Sequence, residues 1–225
     1  MTYSKLCARV LGILKWPSAV MSMLLLMPAV SVLPMLIDRI IVNTEFSVAI
    51  IACLFVFVIW VTVFQDLNNS FLNTFEHELT HMVFGLLTGN LPTDLDVGQG
   101  QGGFSFKGHS NWLMIIAPYF FPMFPVIVIS AGLLYHLTST PVPIAFWGVF
   151  GTTVGMYFAS TIGEIRTNQT DLKRVGFLFS FCFLPGIHVL FIGLLIGFSA
   201  FGYDGFGVYF NLLFEQFSNF YKIFE

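Results

Sequence analysis

The chain has 225 residues, of which 56% are hydrophobic and only 9% charged, with a formal net charge of −3 and a mean hydropathy of +0.85. Soluble domains carry charge on about a quarter of their residues, so this composition argues against a soluble globule, and the lack of a basic cluster argues against a nucleic-acid binder. The expected class is an all-α polytopic membrane protein, a single membrane domain over residues 1–225 without linker, internal repeat or low-complexity tract.

A helix that crosses a bilayer needs about 20 mostly apolar residues. Six stretches come near that length, at about 18–37, 46–64, 70–88, 112–135, 142–163 and 175–200, and predict about six transmembrane or membrane-embedded helices. The first follows Lys5, Arg9 and Lys15 like a signal peptide, but no small-x-small cleavage site ends it and the apolar run continues to Ile37. It therefore reads as an uncleaved membrane segment. Pro28 and Pro34 in this stretch, and Pro185 with Gly186 in the sixth, predict kinks. If the first stretch lies in the interface, Lys5, Arg9 and Lys15 share a side with Arg166, Lys173 and Arg174, and the positive-inside rule puts the 164–174 loop in the cytoplasm. The chain thus divides into N-terminal membrane segments (18–64), a core (68–190) and a C-terminal piece (205–225). There, Phe and Tyr interleaved with Asn211, Glu215 and Lys222 predict an interfacial amphipathic helix. Cys7, Cys53 and Cys182 form neither a disulfide framework nor a CxxC site and read as packing residues.

The third stretch is bounded by Asn68, Asn69 and Ser70 as candidate N-caps and by Gly89, Asn90 and Pro92 as a stop signal. Within it stands His77-Glu78-Leu79-Thr80-His81, the HExxH pattern. On a helix, residues four apart share a face, so both imidazoles reach one metal ion, and the glutamate between them can act as general base on water. Ionisable groups are costly in hydrocarbon, so such a cluster at membrane depth points to function. Glu76 reads as a supporting or structural carboxylate. A catalytic zinc takes three protein ligands and keeps one open position. Spacing alone leaves Asp94, Asp96, Glu164, Asp171, His109, His136 and His188 as candidates for the third. Between the third and fourth stretches, the glycine-rich run Gly98–Gly103 and the alternation Phe104-Ser105-Phe106-Lys107 predict a short β-hairpin or re-entrant loop. His109, in the same loop, is a candidate donor to an oxyanion.

HELTH on a membrane helix, a glycine-rich loop, Ala117-Pro118 in a later span and Asn168-x-x-Asp171 at the head of a late one resemble the site-2 protease family over about residues 68–190. These are intramembrane zinc metalloproteases, and the likeness is to their small, domain-poor bacterial type. The resemblance implies one Zn2+ per chain held by His77, His81 and Asp171, with Glu78 as the catalytic base. It implies that Asn168 assists substrate or transition-state binding. It also implies that this hairpin or re-entrant loop lies near the active site, and that the segment with Gly103 and Phe104 is an edge strand that takes up an unwound substrate by β-augmentation. Two departures keep Glu164 in play as a ligand: Asp171 is followed by Leu172 rather than glycine, and no proline lies between Gly163 and Asp171. The implied activity is hydrolysis of peptide bonds in or near the transmembrane segments of membrane-protein substrates. The implied setting is the lipid bilayer of a bacterial cytoplasmic (inner) membrane, with room for an adaptor or an oligomer. The competing expectation is a non-catalytic metal-binding subunit or an ion transporter built on the same cluster. The nearly uniform apolarity of the second and fourth stretches weighs against a second polar pathway.

Overall fold

The computed structural model describes residues 2–40, 43–63, 71–98, 102–138, 142–164 and 169–222. Helix α1 (Tyr3–Arg39) stays helical through Pro17, Pro28 and Pro34, and α8 (Phe177–Phe201) through Pro185. These two are long and apolar enough to cross a membrane. With its 37 residues, α1 is about 55 Å long, well beyond the roughly 30 Å of a hydrocarbon core.

The fourth apolar stretch does not form one straight helix. Short α4 (Trp112–Ile116) and a 3₁₀ turn (Ala117–Tyr119) meet α5 (Met123–Thr138) at 88°. Pro118, Pro122 and Pro125 crowd this break within eight residues and remove three backbone donors, which weakens the hydrogen-bond ladder there. Counted as one broken span, the pair brings the candidates to three, and α2 (Thr44–Val63) adds a shorter apolar helix.

Small residues set the helix contacts. A Cβ on Gly155 of α6 (Ile144–Glu164) would lie 2.5 Å from the Cys53 carbonyl oxygen of α2, and one on Gly151 would run into the Ala49 carbonyl. Only glycine lets the two backbones come this close, which is how helices associate where hydrophobic drive is absent. Helix α1 is tied to α8 by Ser22, whose hydroxyl donates to the Phe183 carbonyl at 2.5 Å. Helix α9 (Asp204–Lys222) is amphipathic, as expected for the C-terminal piece. Its Tyr209, Leu212 and Leu213 bury against Ala29, Val32 and Leu36 of α1.

Helix α3 (Phe71–Leu87) is inside out. Asn73, Thr74, Glu76, Glu78 and Thr80 are buried, while Phe71, Leu72, Leu86 and Leu87 are exposed. A soluble amphipathic helix has the reverse pattern; this one suits a polar interior with lipid outside. It ends as the sequence predicts, at Gly89 with φ +77, where the Asn90 N–H returns to the Gly85 carbonyl at 2.9 Å. Its candidate N-caps, Asn68 to Ser70, lie outside the described residues. The predicted hairpin follows. Strands β1 (Leu91–Val97) and β2 (Gly102–Lys107) pair antiparallel with an irregularity between Pro92 and Asp94, and Phe104 seats the sheet on α3 at Gly85.

Candidate metal centre

His77 and His81 stand one turn apart on α3, their ring centroids 4.8 Å apart and nearly perpendicular. Nδ1 of His81 lies 2.8 Å from the Met114 carbonyl oxygen of α4. A carbonyl only accepts, so Nδ1 carries a proton and Nε2 is the ring atom left to face a metal, the usual outer support of a ligating histidine. The His77 and Tyr119 rings pack perpendicular to one another, with centroids 5.4 Å apart at 86°.

The third member comes from a distant part of the chain. Asp171 lies in the first turn of α7 (Thr170–Val175). The sequence put it at the head of the sixth stretch. Instead, Gly176, with φ +99, breaks the chain between α7 and α8 and gives the aspartate its own short helix. That helix is pinned on both sides. Leu172 and Val175 are buried with Trp112, Ile116 and Tyr119, and Lys15 of α1 donates to the Val175 carbonyl at 2.7 Å while lying over the Phe179 ring.

Oδ2 of Asp171 sits 3.5 Å from Nε2 of His77 and 3.4 Å from Nε2 of His81. These separations exceed the 2.7–3.2 Å of a good N–H···O bond. They equal the edges of a tetrahedron whose centre lies about 2.0–2.2 Å from each ligand atom, the bond lengths of zinc to imidazole and carboxylate. All three ligand atoms lie within 4.8 Å of one another, and this is the one such group of histidine, cysteine and acidic residues among the described residues. The three side chains are 12–19% exposed, shielded but reachable. Burial pushes the Asp171 carboxyl up, but the two imidazoles facing it pull further the other way and hold it well below the usual carboxylate range. The donor set fits a divalent ion.

Glu78 is 7% exposed and borders β2, where Gly102 packs against it and Thr74. Glu76 is structural, as one of its sequence readings had it: its Oε1 accepts the Phe124 N–H at 3.1 Å and caps the first turn of α5, where no acidic residue is present locally. Phe104 packs inward on α3, and Gly103 faces open space. His109 is exposed and its Nδ1 contacts Ser4 Oγ at 3.4 Å. His136 packs near Tyr203, His188 meets the Tyr157 hydroxyl at 3.1 Å, and Asp94 and Asp96 are exposed on β1. Glu164 closes α6, with its side chain outside the described residues, and Asn168 lies outside them altogether.

Tyr119 was missed in the sequence. It is 1% exposed and its hydroxyl donates to Oδ2 of Asp171 at 3.4 Å. The available signal was slight, a polar-tipped ring after Ala117-Pro118 in a run otherwise made of Phe120, Phe121 and Phe124. No protein-family model, curated protein or solved structure matches the chain.

Proposed function

We propose that the chain is an integral-membrane zinc metallopeptidase of the site-2 protease type, hydrolysing peptide bonds in or near the transmembrane segments of other membrane proteins. The carrying observation is the pair of 3.4–3.5 Å separations between the Asp171 oxygen and the two imidazole nitrogens of an HExxH helix. Two histidines and one carboxylate form a ligand set that suits zinc and leaves a position open. A bound zinc would lower the pKa of water and polarise the scissile carbonyl.

Glu78 takes the proton from the attacking water and passes it to the leaving nitrogen. The sheet has two strands, so β2 keeps one edge unpaired by a strand among the described residues, and its Gly102 end lies beside Glu78. An unwound substrate segment gains backbone hydrogen bonds by adding to that edge, next to the base. Asn168 keeps its assignment to substrate binding on the resemblance alone. We read α2, α3 and α6 as embedded in the membrane beside α1, α8 and the bent α4–α5 pair, six in all, in a bacterial inner membrane.

The test is metal content of the purified protein beside His77→Ala and His81→Ala, with cleavage of labelled casein and of single-span peptides in liposomes by the wild type and Glu78→Gln. Zinc lost in both histidine variants and cleavage lost in Glu78→Gln are expected. A metal-free wild type, or full cleavage by Glu78→Gln, overturns the reading. Zinc binding without Glu78-dependent cleavage favours the non-catalytic subunit or transporter.

A further inference from the structure

We infer that Tyr119 is a further catalytic residue of this centre, whose phenol donates a hydrogen bond to the oxyanion formed when water adds to the scissile carbonyl. The inference rests on the metallopeptidase reading above.

The phenol oxygen lies 3.4 Å from Oδ2 of Asp171, the same atom that faces both imidazole nitrogens. This is long for an O–H···O bond, whose usual length is about 2.7–2.8 Å. The hydroxyl thus stands beside one of the three candidate ligand atoms.

The chemistry there calls for a donor. In the addition step, water oxygen bonds to the carbonyl carbon, the π pair moves onto the carbonyl oxygen, and Glu78 removes the water's proton. In the collapse step that pair re-forms C=O, the C–N bond breaks, and the proton on Glu78 goes to the departing nitrogen. Glu78 and Asp171 are acceptors and cannot stabilise the negative oxygen. Nδ1 of His81 is already engaged by the Met114 carbonyl. The phenol O–H of Tyr119 is a neutral donor beside this cluster.

Its mounting is rigid. Tyr119 is 1% exposed, its ring packs perpendicular to His77, and it belongs to the cluster that buries Trp112, Phe120, Leu172 and Val175. The next residue's carbonyl, Phe120, accepts from the Tyr157 hydroxyl at 3.0 Å, which pins the 3₁₀ turn to α6. A donor fixed in a desolvated site needs no reorganisation as charge develops, which is where such groups act most strongly.

The test is Tyr119→Phe, which keeps the ring and removes the oxygen, compared with wild type by three readouts. These are zinc affinity by chelator competition, casein cleavage, and affinity for a phosphinic peptide whose tetrahedral phosphorus mimics the adduct. Zinc affinity and KM unchanged, kcat lower by about 10²–10³-fold as for loss of one oxyanion donor, and phosphinic-peptide binding weakened in proportion are expected. Wild-type turnover in Tyr119→Phe overturns the inference alone. So does zinc lost together with turnover, which would make Tyr119 a prop for Asp171. A wild type that binds no zinc and cleaves nothing overturns the metallopeptidase reading and this inference with it.

Discussion

Gly102 leans on Glu78: a Cβ built on the glycine would stand 2.8 Å from Cγ and 2.9 Å from Oε1 of the glutamate, and 2.6 Å from Cγ2 of Thr74. The strand backbone can approach the proposed base only because position 102 has no side chain. Gly102→Ala should displace either the strand or the carboxylate, lowering kcat while zinc content stays at the wild-type level. Gly103→Ala, where a Cβ meets nothing within 4 Å, should leave both unchanged. Cleavage kinetics and metal analysis of the two variants side by side make the check.

The third ligand is decided by zinc stoichiometry. Asp171→Ala should lose the ion, because two imidazoles alone leave the site a ligand short. Glu164→Ala should keep it. The opposite pattern would move the site to the end of α6.

Glu76→Ala should destabilise the fold without touching the ligands. It leaves the Phe124 N–H at the head of α5 unpaired in a part-buried setting, at a cost of about 1–3 kcal/mol. Glu76→Gln retains an accepting oxygen and should cost less. Thermal unfolding in detergent gives the order.

Gly176→Ala isolates backbone geometry. Its Cβ would meet nothing within 4 Å, but φ +99 is a conformation that L-residues resist, with strain of order 1–3 kcal/mol. Relief of that strain swings α7 and withdraws Asp171. Weaker zinc binding, measured by chelator competition and with α-helical content intact, is the expected result.

The local parts of the site were legible in the sequence. His77 and His81 could be paired because helical periodicity alone brings residues four apart onto one face. Gly89 announced the end of α3, and Phe104 to Lys107 announced a strand. What was hidden depended on packing between segments. The strand pattern could not tell which glycine would touch Glu78, because the seating of the sheet is set by Phe104 against Gly85. Asp171 was one of several acidic and histidine candidates by spacing, and only the resemblance singled it out. A lone glycine at 176 gave little warning that α7 would be separate. The prolines at 118, 122 and 125 were visible, yet their joint effect, an 88° break that brings Tyr119 onto Asp171, appears only once the helices are assembled.

The placement of Asp171 on its own six-residue helix carries a consequence for the apoprotein. An ion shared by His77, His81 and Asp171 would act as a clasp, cross-linking segments about 90 residues apart and removing the loop-closure entropy of everything between them. Affinity for the ion then adds directly to resistance against unfolding. A chain stripped by chelator should therefore melt earlier, with the stretch around α7 the first to come loose, so that starvation for the ion would be felt as fragility before it is felt as lost turnover.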